Sequence, residues 1–153
     1  MIDDGSIVSD VTAMQNAEIF EIRSIGQVES RLTSLDAAPR QADEGAPSAW
    51  LVFDEAVRDG IGSIREDGEL ILLTWLDRAR RDVLVVHPRG DATRPLEGVF
   101  TTRSPHRPNP IGLHRVRVIA IDRLRVQVDH LEALDGTPIV DVKPVLDEDV
   151  GAR

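Results

Sequence analysis

The stretch Arg115-Val-Arg-Val-Ile-Ala-Ile-Asp-Arg-Leu-Arg-Val-Gln-Val-Asp129 decides the fold class of this chain. Apolar and polar residues alternate through both of its halves, as they do in a strand with one buried and one exposed face. Asp122 and Arg123 lie between the halves and are candidates for a hairpin turn. The pattern therefore predicts two half-buried antiparallel strands.

Short strand-like segments precede this hairpin along the chain. Their apolar patterns and lengths are typical of strands, and they cover residues 19–29, 50–57, 70–76 and 83–86. Residues 30–48 are predicted to form a long loop, and residues 56–66 a turn with one helical turn. Many short strands in succession favour a mainly β protein with a closed or nearly closed barrel and short helical turns.

Length and composition place the chain among ordinary globular proteins. Its 153 residues fit one domain with one core. We expect that domain over residues 19–146, with a flexible segment at 1–18 and a short tail at 147–153. The chain has no cysteine and no apolar run of the roughly 20 residues needed to span a bilayer. The start of the sequence lacks the pattern of a signal peptide, which favours a cytoplasmic location.

The charge of the chain is unevenly distributed. The net charge is −9, but residues 77–125 contain eleven arginines and five acidic residues, a balance of +6 that leaves −15 for the remainder. A basic segment of this kind suits phosphate binding. The alternative is that several of these arginines pair with acidic residues across strands. With only 3% aromatic residues, a base-stacking platform of the RNA-recognition type is not expected.

A second stretch, Gly98-Val-Phe-Thr-Thr-Arg-Ser-Pro-His-Arg-Pro-Asn-Pro-Ile-Gly-Leu113, has the composition of a rigid binding loop. Its three prolines fix φ and push the preceding residues towards extended geometry, so residues 104–110 are predicted to be neither helix nor central strand. The same segment carries several side chains that donate hydrogen bonds, and the prolines reduce the entropy lost on ordering them. The loop suits an anionic or polar ligand. The alternative is a proline-rich surface turn.

Four blocks of the sequence together resemble one known family. The loop just described is the first long block, and the second is Leu131-Glu-Ala-Leu-Asp-Gly-Thr-Pro-Ile-Val-Asp-Val-Lys-Pro144. Two shorter blocks precede them, Ile25-Gly-Gln-Val-Glu-Ser30 and Pro39-Arg-Gln41. In this order they resemble the TsaA/TrmO family of S-adenosylmethionine-dependent tRNA methyltransferases, over roughly residues 19–146.

The resemblance implies a fold, a reaction and a set of partners. The fold is a small single-sheet antiparallel β-barrel of the TsaA-like type. The reaction transfers a methyl group from S-adenosylmethionine to N6 of threonylcarbamoyladenosine, next to the tRNA anticodon, and needs no metal. The partners are the tRNA anticodon loop, rather than DNA or a membrane, and a second copy of the chain in a homodimer.

The resemblance also carries residue roles onto matching positions. The cofactor-binding candidates are Pro39, Arg40, Gln41, Arg103, Leu113 and Leu131. Either arginine would suit the methionine carboxylate, and we favour Arg103, with a cross-strand salt bridge as the alternative. The substrate-binding candidates are Ser104, His106, Arg107 and Asn109. For Asn109 the competing interpretation is a turn-stabilising side chain.

The candidates for catalysis lie in the second long block. They are Asp135, Asp141 and Lys143, the only lysine in the chain. Asp141 and Lys143 project from the same strand face at i and i+2, so a structural ion pair is the alternative to a chemical role. Asp135 precedes a glycine and is also suited to cap a turn. Either aspartate is a candidate base. The four histidines have no metal-binding spacing, and no metal site is expected.

Two positions depart from the family pattern. Val145 follows the Lys-Pro pair where longer family members have tyrosine and then a C-terminal extension, and Asp77 stands where related sequences often carry histidine. The cofactor loops are therefore better supported than a surface for RNA. Two alternatives to the tRNA reaction remain open: methylation of a small molecule or other acceptor, and S-adenosylmethionine binding by a sensor without catalysis.

Overall fold

A computed structural model describes residues 6–8, 14, 16–34 and 45–146 of the chain. The described residues form two compact units. We call the first the loop unit, which contains the described residues up to Glu21 together with Leu76–Ile111. The second, the ring unit, contains Ile22–Trp75 and the described residues from Gly112 onward. Each unit has its own sheet and its own cluster of buried apolar side chains.

Within the described residues, the regular structure is mainly β. The strands are β1 (Ser6–Val8), β2 (Gly26–Glu29), β3 (Ala49–Phe53), β4 (Glu69–Trp75), β5 (Val83–Val86), β6 (Glu97–Gly98), β7 (Ile111–Asp122), β8 (Arg125–Val128) and β9 (Pro138–Pro144). The helical segments are short: α1 (Arg58–Ile61) and 3-10 turns at Glu55–Val57, Pro88–Gly90 and Val99–Thr101. The described part of the chain has no helix long and apolar enough to cross a membrane.

Six strands of the ring unit close into an antiparallel barrel in the order β2-β3-β8-β7-β4-β9. The β2 strand closes the ring because it pairs with β3 on one side and with β9 on the other. The β4 strand pairs with β9, and the register shifts between Leu73 and Thr74. The predicted antiparallel β-barrel with short helical turns is thus confirmed, as is the hairpin formed by β7 and β8.

The alternation seen in the sequence explains the core of the ring unit. Val116 and Val118 of β7 and Val126 and Val128 of β8 are buried, with at most 2% of each residue exposed. The residues between them face outward. Burying these branched side chains removes apolar surface from water, worth roughly 1.5–3 kcal/mol for each side chain, before the entropy cost of ordering it.

The outward-facing arginines pair with acidic residues across strands. Arg115 Nε lies 2.6 Å from one carboxylate oxygen of Glu69, and Arg117 Nη2 lies 3.0 Å from the other. Arg125 Nη2 lies 2.7 Å from Glu29, and its guanidinium lies over the ring of Trp50. Cross-strand pairing, the alternative to a phosphate-binding role, therefore accounts for three of the arginines in the basic segment.

The loop unit contains a second antiparallel sheet, in the order β1-β5-β6, that the sequence did not predict. Ser6–Val8 was expected to belong to a flexible segment, but it pairs with Val83–Val86. The strand forms because its backbone pairs with β5. A stretch of three residues is too short to show the alternating pattern by which a strand is predicted from sequence. The core of this unit includes Val83, Val86 and Val99.

Two predicted strands were too long. In residues 19–29 only Gly26–Glu29 forms a strand, because β9 and β3 provide partners from Gly26 onward. Ile19 and Phe20 are 89% and 79% exposed, so the apolar alternation there does not mark a buried face. In residues 50–57 the strand ends at Phe53, where a 3-10 turn and α1 begin and supply the predicted helical turn.

The other segments agree more closely with the sequence. Residues 70–76 correspond to β4 within one residue, and residues 83–86 match β5. Of the predicted loop over residues 30–48, the described parts contain no helix or strand, and residues 35–44 lie outside the described residues.

Candidate functional site

The proline-rich segment after β6 forms an ordered loop in the loop unit. A 3-10 turn over Val99–Thr101 begins it, and β7 starts at Ile111. The residues between are neither helix nor strand, as predicted. Pro108 and Pro110 are buried, and the carbonyl of Pro110 accepts a hydrogen bond from the backbone N–H of Leu76, 2.8 Å away. The prolines thus fix the loop by packing as well as by their restricted φ.

The side chain of Arg107 connects parts of the proline-rich loop through hydrogen bonds to backbone carbonyls. Its Nε donates to the carbonyl of Ser104 at 2.8 Å, and its Nη2 donates to the carbonyls of Val99 and Thr102 at 2.7 and 2.6 Å. Burial lowers the pKa of the Arg107 guanidinium, and the nearby charge of Arg103 lowers it further. The side chain was predicted to grip the substrate, and these bonds give it a structural role within the loop.

The segment after β4 holds the tip of the loop. The backbone N–H of Arg80 donates to Nδ1 of His106 at 3.0 Å, so in the neutral ring the proton lies on Nε2. Arg81 donates from Nε to the carbonyl of Pro108 at 2.7 Å and from Nη2 to Oδ1 of Asn109 at 3.1 Å. Asn109 therefore stabilises the loop, through an arginine rather than through its own backbone.

Arg103 differs from the other polar residues of this loop. It is exposed, and among the described residues it has no hydrogen bond or ion pair. Ser104, by contrast, is half-buried, and its N–H donates to Oγ1 of Thr102 at 3.2 Å. Arg103 is therefore an exposed cation on a loop whose shape is fixed by its neighbours. That arrangement suits the binding of a carboxylate or a phosphate.

In the ring unit, Asp135 lies in the turn before β9. Its Oδ1 accepts the backbone N–H of Ser30 at 2.9 Å, and its own N–H donates to the carbonyl of Leu32 at 2.7 Å. Gly136 follows with φ of +80°, a left-handed conformation that favours glycine. Asp135 is exposed, so a capping role and contact with a ligand are both compatible with its position.

Asp141 and Lys143 form the ion pair expected from their i and i+2 spacing on β9. Lys143 Nζ lies 2.9 Å from Oδ2 of Asp141, and 63% and 46% of the respective side chains are exposed. An exposed ion pair of this kind contributes only about 0–1 kcal/mol to the stability of the folded protein. Both charged groups remain accessible to a ligand.

The two leucines predicted to line the cofactor site occupy different environments. Leu113 is 47% exposed on β7, whereas Leu131 is fully buried in the core of the ring unit. Any contact of Leu131 with a ligand would therefore involve its backbone. The third predicted group, Pro39, Arg40 and Gln41, lies outside the described residues.

A buried polar cluster in the ring unit was missed at the sequence level. Nε2 of His114 lies 2.8 Å from Oγ1 of Thr74, and Nδ1 of His114 forms a very short contact with Oε1 of Glu132. Thr74 is fully buried and His114 is 6% exposed. The signal was present in the alternation, because His114 and Thr74 occupy inward positions of β7 and β4, next to buried valines and leucines.

Within the part of the chain that the structure describes, no group of three or more histidine, aspartate or glutamate side chains is arranged to hold a metal ion. The described structure defines a class of protein that has a small antiparallel β-barrel and a proline-rich loop held in place by hydrogen bonds from arginine side chains. The chain belongs to the tRNA-methyltransferase O N-terminal domain family, which matches residues 27–149. The resemblance of the four sequence blocks to this family is thereby confirmed.

Relatives and solved structures agree with this assignment. An S-adenosyl-L-methionine-binding protein of Archaeoglobus fulgidus is 44% identical over 123 residues, which are 80% of this chain and 86% of that protein. A probable S-adenosyl-L-methionine-binding protein of the same organism is 40% identical over 126 residues, 82% of this chain but 34% of that protein. The crystal structure of TrmO from Pseudomonas aeruginosa matches with a TM-score of 0.67 and 25% identity, over 88% of this chain and 60% of that one. The chain thus spans only part of the length of some relatives.

Proposed function

We propose that the protein binds S-adenosylmethionine and transfers its methyl group to a nucleic-acid acceptor, N6 of threonylcarbamoyladenosine next to the tRNA anticodon. The family supports the reaction class. The names of the two Archaeoglobus relatives support the cofactor. The observation that carries the proposal in this chain is that Arg103 is exposed and has no hydrogen bond or ion pair within the described residues, on a loop held in place by Arg107 and Arg81.

Arg103 fits the cofactor because the methionine end of S-adenosylmethionine carries a carboxylate. A guanidinium presents two parallel N–H donors to such a group. The loop bonds of Arg107 and Arg81 fix the backbone on either side of the binding arginine, so less conformational entropy is lost on binding. When bound, S-adenosylmethionine supplies a methyl group activated by its sulfonium centre.

The acidic residues of the ring unit would serve the acceptor. The nitrogen of a urea-type group is a weak nucleophile because its lone pair is delocalised, so its proton has to be removed as the new bond forms. Asp135 and Asp141 are the candidate bases, and Lys143, whose Nζ lies 2.9 Å from Oδ2 of Asp141, would balance negative charge. Positioning of the two reactants would provide much of the remaining acceleration.

Binding without catalysis is the second candidate function. It is favoured by the names of the two Archaeoglobus relatives, which state S-adenosyl-L-methionine binding and no transfer reaction. A sensor of this kind would need Arg103 but neither candidate base. If the protein is such a sensor, replacing Asp135 and Asp141 by asparagine should leave its affinity for S-adenosylmethionine unchanged.

We also propose that the protein is a homodimer. The outer face of β7 carries four exposed apolar side chains, Ile111, Leu113, Ile119 and Ile121, which are 42%, 47%, 46% and 38% exposed. Covering them with a second copy would remove apolar surface from water. Light scattering at micromolar concentration should give twice the 16.9 kDa mass of one chain, and a mass of one chain would contradict the dimer.

Calorimetry tests the cofactor proposal directly. Titration of the wild-type protein with S-adenosylmethionine should show binding, and Arg103→Ala should weaken it about tenfold or more, since a charge-assisted hydrogen bond is lost. Arg94→Ala is a matched control, an arginine of the same unit outside the proline loop, and should leave affinity unchanged. Undiminished affinity in Arg103→Ala would show that the carboxylate is held elsewhere.

A further inference from the structure

Phe100 lies in the 3-10 turn at the start of the proline-rich loop, and 78% of the residue is exposed. Its neighbour Val99 is 1% exposed and belongs to the core of the loop unit. The smaller side chain therefore anchors the turn, while the larger aromatic one faces solvent. Among the described residues the ring of Phe100 has no aromatic or cation–π contact. Most of this side chain is thus available to a ligand.

Hydrogen bonds fix the backbone on both sides of Phe100. The carbonyls of Val99 and Thr102 accept hydrogen bonds from Nη2 of Arg107 at 2.7 and 2.6 Å. The N–H of Thr102 donates to the carbonyl of Val99 at 3.1 Å and closes the turn. The ring is therefore presented from a backbone that is already ordered, so a ligand that binds it loses less conformational entropy.

The side chains next to Phe100 in the chain do not extend its apolar surface. Val99 before it is buried. Thr101, Thr102 and the exposed cation Arg103 follow it. Docking surfaces for proteins are usually larger, contiguous apolar patches. A single flat ring among polar groups instead fits a planar ligand that stacks on it.

Phe100 also lies within a basic segment of the chain. Residues 76–111 of the loop unit contain seven arginines and four acidic residues, a balance of +3, whereas the whole chain carries −9. Clustered positive charge attracts the phosphates of RNA. Unpaired RNA bases are bound by stacking on exposed aromatic side chains such as phenylalanine. The ring and its charged surroundings together therefore fit an unpaired nucleobase.

The short separation between Phe100 and Arg103 links the ring to the proposed reaction. The two residues are three positions apart, which is at most roughly 11 Å of chain. The proposed function places the methionine carboxylate of the cofactor at Arg103. Methyl transfer brings the acceptor nitrogen to roughly 3–3.5 Å from the methyl carbon. The acceptor base and the bases beside it would then lie near the start of this loop.

We propose that the ring of Phe100 stacks on an unpaired nucleobase of the RNA acceptor. This inference rests on the proposed function and names a contact through which its RNA is held. Stacking uses the π-face that every base has, so it favours unpaired over paired RNA and does not select one sequence. A single ring differs from the multi-base platform that the scarcity of aromatic residues argues against.

Fluorescence anisotropy with a labelled anticodon stem-loop RNA tests the proposal. Phe100→Ala should weaken binding about fivefold or more, because one stack between a base and an aromatic ring is lost. Phe20→Ala is the matched control, since Phe20 is 79% exposed but lies outside the proline-rich loop, and it should bind like the wild type. A fully paired duplex of the same stem should bind equally to Phe100→Ala and the wild type. Wild-type affinity of Phe100→Ala for the stem-loop would overturn the proposal.

Phe100→Trp supplies a spectroscopic readout of stacking. Tryptophan keeps an aromatic face, so this variant should bind the stem-loop within about threefold of the wild type. Its added emission is the difference from the wild type, which has two tryptophans of its own. The stem-loop should quench this added emission and the paired duplex should not. Unquenched emission at saturating stem-loop would contradict stacking.

Three further measurements separate stacking on RNA from other roles of the ring. Calorimetry with S-adenosylhomocysteine should give Phe100→Ala the affinity of the wild type, and a loss would place the ring against the cofactor and overturn the proposal. Light scattering should give both proteins the same mass, and a changed mass would assign the ring to a contact between subunits, which also overturns it. The melting temperature of each variant verifies that it folds.

Two outcomes distinguish failure of this inference from failure of the proposed function. If the wild type binds S-adenosylhomocysteine but not the stem-loop, the proposed RNA acceptor is wrong and this inference falls with it. If the wild type binds both and Phe100→Ala binds the stem-loop equally well, only the stacking contact is wrong. If Phe100→Ala does not fold, Phe100→Leu replaces it, because leucine is apolar without an aromatic face and should also lower affinity for the stem-loop.

Discussion

His114 Nε2 lies 2.8 Å from Oγ1 of Thr74, and this contact joins β7 to β4 inside the strand ring. Each residue lies at an inward position of its strand, where the alternating pattern would place an apolar side chain. Thr74 is the next inward position after Leu72 on β4, and His114 is the one before Val116 on β7. Because both residues are buried, the hydroxyl of Thr74 and Nε2 of His114 satisfy each other's need for a hydrogen-bond partner. A polar pair at such positions reduces the apolar area of the core and specifies how the strands meet.

Thr74→Val should destabilise the ring unit by about 1–3 kcal/mol, because it leaves Nε2 of His114 buried without a hydrogen-bond partner. Valine matches threonine in volume, so the loss reports the hydroxyl and not packing. Chemical denaturation gives the free energy of unfolding. Thr74→Ser keeps the hydroxyl and should lose less than Thr74→Val. If valine were as stable as the wild type, the hydroxyl would not support His114.

Arg107→Ala should lower the stability of the protein, whereas Arg103→Ala should leave it almost unchanged. The Arg107 substitution removes three bonds to backbone carbonyls and should lower the free energy of unfolding by about 1–3 kcal/mol. Arg103 is exposed and has no partner within the described residues, so its replacement should change stability by less than about 0.5 kcal/mol. Thermal denaturation of the two variants checks this contrast. Equal stability losses would contradict the structural role of Arg107.

Gly26→Ala should disrupt the pairing of β2 with β3. A Cβ at this position would lie 2.3 Å from the carbonyl oxygen of Val52 and 2.9 Å from Cα of Phe53, both of them backbone atoms. Forcing the strands apart should cost about 1–3 kcal/mol. Gly60→Ala in α1 is the control, since no atom lies within 4 Å of the added Cβ, and it should be neutral or stabilising. A stable Gly26→Ala protein with an intact ring would refute the close approach.

Acid should weaken the ring unit through Glu69. The hydrogen bond from Arg115 holds the pKa of Glu69 below its ordinary value in the folded chain. A carboxyl whose folded pKa is lowered contributes stability above its unfolded pKa, and that contribution is lost as pH falls through the folded pKa. The melting temperature should therefore decrease between about pH 5 and pH 3. Glu69→Gln should show a smaller decrease, and an identical pH profile would exclude Glu69 as a contributor.

The β-barrel of the ring unit was predictable because its strands are encoded by a local pattern, the alternation of apolar and polar residues. Alternation in residues 115–129 identifies a hairpin with one buried face, and the apolar pattern over residues 70–76 marks β4 within one residue of its limits. The second sheet was not predictable in the same way. Ser6–Val8 becomes a strand by pairing with β5, and a three-residue segment has too few positions to show a period.

The loop and the buried cluster show the same limit at the level of side chains. The prolines correctly predicted a stiff loop, but the sequence could not show that Arg107 turns back onto the carbonyls of Val99 and Thr102 while Arg103 stays exposed. The contact between His114 and Thr74 joins residues 40 positions apart, and no spacing motif encodes it. Such roles depend on which strands become neighbours, which is decided by the whole ring.

The most direct test of the proposed function is a methyl-transfer assay. The purified protein is incubated with S-adenosylmethionine and tRNA that carries threonylcarbamoyladenosine, beside unmodified tRNA, and the digested nucleosides are analysed by mass spectrometry. We predict a methyl-mass increase on the threonylcarbamoylated nucleoside alone, and its loss when Asp135 and Asp141 are both replaced by asparagine. An unchanged nucleoside, with cofactor binding verified on the same sample, would contradict the transferase account and favour a protein that only binds S-adenosylmethionine.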